Sequence, residues 1–138
     1  MLSIRPYTPD DFDGVDELWR EAFPDDGVRD CAAVAVPQKL KFQGELFLVA
    51  VDEAVVIGSI MAGYDGHRGW IYRVAVRQSR QTRGIGRALI EEAERQLIAL
   101  GCPKVKLQIL PSNAGVIAFY RKLGYETEQR INMGKVLN

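Results

Sequence analysis

Histidine is almost missing from this sequence. His67 stands alone, and the two cysteines, Cys31 and Cys102, lie far apart with no Cys-x-x-Cys spacing. A structural zinc needs a cluster of such ligands, so no metal is expected and the cysteines read as reduced thiols. Long apolar runs are also lacking; none approaches the ~20 residues that cross a bilayer. The start, Met1-Leu2-Ser3-Ile4-Arg5-Pro6, soon runs into acids, unlike a secretory leader. The expected location is the cytoplasm, with no membrane partner. Charge of one sign is lacking too: 18 Lys and Arg balance 18 Asp and Glu, which argues against nucleic acid as a partner. Two phosphate motifs fail on spacing. No Gly-Lys-Ser/Thr occurs, and Gly84-Ile85-Gly86 is followed by Leu89 where a dinucleotide fingerprint needs its third glycine. What is present is ordinary for a globular protein, 47% hydrophobic and 26% charged over 138 residues. One domain spanning 1–138 is expected.

One stretch stands out. The apolar run Ile71-Tyr72-Arg73-Val74-Ala75-Val76 leads into Gln81-Thr82-Arg83-Gly84-Ile85-Gly86-Arg87-Ala88-Leu89, which opens a helical pattern. A strand, a glycine-containing turn and a helix start together make an anion socket: the glycines let a ligand come close, and the first helical N–H groups and the helix dipole favour negative charge. Arg68, Arg73, Arg77, Arg80, Arg83 and Arg87 lie here without a single acid, so the local field is positive in a neutral chain. By itself the turn reads equally well as a structural strand-to-helix connection.

The six residues from Gln81 to Gly86 fit the pattern Gln/Arg-x-x-Gly-x-Gly/Ala. A second block, Asn113-Ala114-Gly115-Val116-Ile117-Ala118-Phe119-Tyr120-Arg121-Lys122-Leu123-Gly124-Tyr125, follows one helix and one strand later. Together they resemble the acetyl-CoA pyrophosphate loop and the Asn-x-x-Ala-x-x-Leu-Tyr-x-x-x-Gly-Phe signature of the GNAT superfamily of N-acetyltransferases. Val116, Phe119 and Tyr125 replace the usual Ala, Leu and Phe. The resemblance implies a single-domain α/β (α+β) fold: a mixed sheet of six to seven strands, an antiparallel meander whose fourth and fifth strands are parallel and splayed, with helices on both faces. It implies acetyl-CoA as cosubstrate, an amine acceptor and a monomer or homodimer. Val74, Ala75, Val76, Gln81, Thr82, Arg83, Gly84, Ile85, Gly86, Arg87, Ala88 and Asn113 would bind the cofactor, and Tyr120 would protonate the departing sulfur.

The pattern along the chain fits that expectation. Thr8-Pro9-Asp10-Asp11 is a helix start, with Thr8 as cap, and Phe12, Val15, Leu18, Trp19 and Ala22 recur at helical spacing. A second helical region is expected from Asp30 to Phe42, split by Pro37. Strands are expected over 46–51, 55–61 and 70–76, and a parallel strand at Val105, Leu107 and Ile109 after a helix that Gly101 ends. Asn113 caps the next helix, and 125–128 and 130–136 supply one or two closing strands. Nine acids between Asp10 and Asp30 read first as a solvated helix face and second as a surface drawing a cationic acceptor.

Moving an acetyl group from a thioester to an amine requires a neutral amine, an aligned carbonyl and a proton for the thiolate. A phenol with a pKa near 10 suits the last task. Tyr120 also reads as a core aromatic beside Phe119, and Val74 and Val76 also read as core. Neither strand of the splayed pair carries a carboxylate base, since Arg73 and Gln108 lie in those regions. His67, Asp65 or a chain of waters are the candidates, and a lone His in an Asp-Gly hairpin is more often a turn residue. Two other functions stay open: an acyl-CoA sensor without catalysis and a nucleotide-phosphate binder.

Overall fold

The computed structural model describes residues 1–137. They form two compact units, Met1–Gln108 and 109–137.

The first unit is one five-stranded sheet in the order of the sequence, with three helices. Its strands are β1 (Ser3–Pro6), β2 (Phe47–Asp52), β3 (Val55–Tyr64), β4 (Gly69–Val76) and β5 (Val105–Lys106). Its helices are α1 (Phe12–Ala22), α2 (Ala32–Lys41) and α3 (Ile85–Ala99). Strands β1 to β4 pair antiparallel, as short connections require, and β5 runs parallel to β4 after the α3 crossover. The β2–β3 connection is the two-residue turn Glu53-Ala54, both residues left-handed at φ 51° and 64°.

Strands β2 and β3 are apolar without alternation because both faces of the sheet are covered. On one face Val15, Leu18 and Trp19 of α1 and Ala32 and Val36 of α2 pack on Phe47, Val49, Val56, Met61 and Ala75. On the other lies α3, whose Ile85, Leu89, Ile90, Ala93 and Leu97 are buried; Gly58 admits it so closely that an added Cβ would meet Leu89 at 3.0 Å. Each of these large side chains contributes roughly 2 kcal/mol by leaving water.

Pro37 does not split the second helix, contrary to the sequence expectation; α2 runs through it. Pro37 and Ala33, the residue whose carbonyl loses a donor, are both exposed, so water can serve that carbonyl. The expected fifth strand over 105–109 shortens to Val105–Lys106, paired only as Gly69 with Val105 and Trp70 with Lys106. The cause lies in β4: its register on β3 shifts between Ser59 and Met61, and Arg73 takes φ 55°. That bulge bends β4, and the two strands part, as expected of a splayed pair.

The second unit holds α4 (Ala114–Lys122), preceded by Asn113 and closed by Gly124 at φ 95°. The six to seven strands expected are corrected to five, because neither 125–128 nor 130–136 forms a strand. Ile131 and Met133 are 91% and 88% exposed, and Gly134 interrupts the alternation, so these segments have too little apolar surface to bury a sheet face.

Candidate functional site

The chain leaves β4 through a 3₁₀ turn at Gln78–Arg80 and enters α3 at Gly84, whose φ of 76° belongs to the left-handed region. Thr82 shares that region at φ 72°. An added Cβ on Gly84 would meet nothing within 4 Å, so the glycine serves conformation and leaves the space over the turn open. No side chain caps α3 and its first turn holds no acid. Its first outside bond runs from the Ala88 N–H to the Gly84 carbonyl at 3.0 Å. Among the described residues, the amides of Gly84, Ile85, Gly86 and Arg87 therefore have no acceptor. Four donors and the positive end of a 15-residue helix face an open surface.

The arginines around it divide into two groups. Arg77 is held by Glu17 at 2.7 Å and by the Val56 carbonyl, and Arg80 by Asp52 at 2.6 Å. They brace the turn. Arg87 makes only an exposed pair with Glu91 at 3.3 Å, and Arg83 has no partner among the described residues. Gln81 folds back, donating from Nε2 to the Val76 carbonyl at 3.2 Å.

The open edge of β4 continues the site. Arg77 N–H donates to the Ile57 carbonyl at 2.9 Å, so by alternation Ala75 turns its backbone groups to β3 while Val74 and Val76 turn theirs away, where β5 has already diverged. The Val76 carbonyl is occupied by Gln81, and the remaining outward strand groups are of the kind that can pair with an extended amide chain.

Arg73, on the bulge, is held by both side chain and backbone. Its guanidinium lies 4.4 Å from the Phe23 ring and 5.1 Å from the Trp19 ring, and it pairs with Asp26 at 2.8 Å and Asp30 at 3.7 Å. Its carbonyl accepts the Ser59 hydroxyl at 3.0 Å, and that hydroxyl in turn accepts the Trp19 indole N–H at 2.9 Å. These partners are invisible in the sequence pattern, because Asp26 and Arg73 are 47 positions apart.

Asp65 accepts the N–H groups of His67 and Arg68, both at 2.8 Å, which hold its carboxyl below the usual range. It is a turn-forming carboxylate and a poor proton acceptor. His67 is exposed beside Arg68.

In the second unit, Asn113 occupies the cap position of α4 and its carbonyl accepts the Ile117 N–H at 3.2 Å, with no side-chain cap bond. Tyr120 is buried, with edge contacts to Phe119 at 5.1 Å and Tyr125 at 5.6 Å between ring centres. Burial pushes its phenol up to about 12, so it stays protonated far past neutral pH.

Lys39 was overlooked in the sequence although the signal was there: it continues the Ala32 and Val36 spacing of α2, the buried face of that helix. Among the described residues no helix is long and apolar enough to cross a membrane, and no three His, Cys, Asp or Glu could share a metal.

Residues 12–125 match the model of a family described as "Acetyltransferase (GNAT) family". An acetyltransferase of Yersinia pestis is 41% identical over 138 residues, 99% of this chain and 96% of the relative. One of Pectobacterium atrosepticum is likewise 41% identical, with the same coverage of both chains. Among solved structures, an N-acetyltransferase of Thermoplasma acidophilum in complex with coenzyme A superposes with a TM-score of 0.81 at 19% identity, covering 95% of this chain and 93% of that one. An aminoglycoside N-acetyltransferase in complex with CoA gives 0.80 at 19% identity, covering 99% and 95%. At such identities the structures show the shared fold.

Proposed function

This chain belongs to the GNAT acetyltransferase family, with acetyl-CoA as its cosubstrate, and we propose that it is an N-acetyltransferase acting on a primary amine of a small molecule or a protein. The carrying observation is the row of unsatisfied amides at Gly84 to Arg87 beside the unpartnered Arg83. That is a preformed seat for a diphosphate. The residues present fit the cosubstrate in two ways: the turn offers donors and open space, and the outward backbone groups of Val74 and the N–H of Val76, whose carbonyl is taken by Gln81, offer an edge to an amide arm. The family match spans both units, which supports one catalytic domain over 1–138.

Acetyl-CoA supplies an activated acyl group. In this reading the backbone of β4 and the α3 turn fix the donor, so that placement supplies much of the rate. Tyr120 delivers the proton that the sulfur needs on leaving. With its pKa raised to about 12, its phenol is the weaker acid. Desolvation raises a thiol as well, however, and the gap from an ordinary thiol near 8.5 narrows in the same surroundings. With Asp65 committed to its turn and no carboxylate on β4, the amine's proton passes to His67 or to water.

Replacing Tyr120 with Phe should lower kcat on the order of 100-fold, while acetyl-CoA binding by calorimetry changes little. Unchanged turnover would remove the tyrosine from the chemistry. No alkaline fall in kcat should come from Tyr120 until pH nears about 12. A second reading, an acyl-CoA sensor, draws on the missing carboxylate base. Thioester consumption that depends on added amine separates the two.

A further inference from the structure

The sheet face that packs α1 and α2 also holds a cleft of about 310 Å³, lined by Arg29, Asp30, Lys39, Phe42, Tyr72 and Arg73 among others. A cavity of this size suits a small molecule. Its electrostatics run against the impression given by the acid-rich stretch from Asp10 to Asp30. Asp26 and Asp30 are turned onto Arg73, Glu17 holds Arg77, and Glu21 accepts the Gln78 N–H at 2.9 Å. These acids already serve the protein's own donors.

Among the described residues, two lining cations have no carboxylate bound to them. Arg29 is exposed and without a partner among the described residues. Lys39 is only 7% exposed. Its ammonium donates to the carbonyls of Ala62 and of Phe42, the latter at 3.0 Å, and lies 5.9 Å from the centre of the Tyr72 ring. An ammonium has three donors, and the two carbonyls account for two. Burial pushes its pKa down, opposed only by the field of Glu45. A buried charge without a counter-ion is costly, and a cleft beside it is where a counter-ion can enter.

On the acetyltransferase reading above, we propose that this cleft receives the non-reacting end of the acceptor, and that this end is an anion, a carboxylate or a phosphate, bound by Lys39 with help from Arg29. The acceptor is then a small amine that also carries an acidic group, and not a polycation. The bonds of Lys39 to Ala62 and Phe42 also tie α2 to β3, so loss of stability in a variant says nothing about binding.

The deciding measurement is kcat/KM at saturating acetyl-CoA for matched acceptors: short ω-amino acids against their own primary amides, and aminoalkyl phosphates against the corresponding amino alcohols. The amides and alcohols keep the amine and lose the charge. In at least one series the anionic member should be favoured by roughly tenfold or more. Lys39→Met should bring that ratio close to one, and Arg29→Gln should reduce it. The series that shows the preference identifies the anion as carboxylate or phosphate. A wild-type ratio at or below one in both series overturns the proposal, as does a folded Lys39→Met protein that keeps the preference. Should Lys39→Met fail to fold, the wild-type ratio and its change in the exposed Arg29→Gln variant decide. If the protein binds acetyl-CoA yet consumes it with no amine of either kind, the acetyltransferase reading itself falls and takes this proposal with it.

Discussion

At the start of α1, Asp11 accepts the Thr8 N–H at 2.8 Å and the Thr8 hydroxyl at 3.2 Å, while the Arg5 guanidinium closes on the same carboxylate at 2.7 and 2.9 Å. At the start of α3, no side chain among the described residues caps the helix, and the first turn carries no acid. Both are helix beginnings with donors to satisfy, and helix chemistry alone would finish them alike. The first has a carboxylate of its own: it is buried, and the arginine beside it holds the carboxyl below its usual range. On the reading proposed above, the second is left for an anion from outside, with arginines where the first has acids. A helix start stripped of its own cap forgoes some stability, and a reserved binding place is a physical reason to leave it so.

The sharpest way to break this contrast is to give the second start what the first already has. Arg87 stands three residues after Gly84 as Asp11 stands three after Thr8, so Arg87→Asp should bring a carboxylate to the open amides. Acetyl-CoA affinity by calorimetry should fall on the order of 100-fold, about 2.7 kcal/mol, while the melting temperature holds or rises. An unchanged affinity would mean that the diphosphate sits elsewhere.

The converse change, Asp11→Asn, should cost roughly 2 kcal/mol of stability at neutral pH and leave acetyl-CoA affinity alone. Its pH dependence has a definite sign. Asp11 is depressed in the folded state, chiefly by its bonds to Arg5, so its contribution is present above the ordinary carboxylate value of 3.8 and is lost as pH falls through the lower folded value. Denaturation of both proteins should therefore show a constant gap down to about pH 4 that closes below it. The smallest effect is expected from Arg83→Gln, which removes the free cation beside the open turn. Affinity should weaken roughly fivefold at low salt, and the difference should fade at high salt.

Much of this contrast was legible in the sequence because it is local. Thr8-Pro9-Asp10-Asp11 announces a capped start, and Gly84 and Gly86 after an apolar run announce an open one. The antiparallel order of β2, β3 and β4 followed from connections too short for anything else. Illegible features depended on partners distant in sequence. The six arginines looked like one positive field, but Asp52, Glu17, Asp26 and Asp30 neutralise three of them and turn them into braces. Pro37 looked like a break because its cost is local, whereas the burial of Ala32, Val36 and Lys39 that overrides it is not. The closing strands were misjudged in the opposite direction, from β-type residues with no face to bury.

The Ser59 hydroxyl fixes the direction of the chain of bonds through the bulge. An indole can only give a proton and a carbonyl can only take one, so Trp19 must donate to Ser59 and Ser59 to Arg73. A hairpin of β3 and β4 alone has neither the indole nor the two aspartates that hold the Arg73 side chain. The crimp in β4 is therefore gripped from outside the hairpin: by Trp19 of α1, 40 positions upstream of the serine it holds, and by Asp26 and Asp30 beyond that helix.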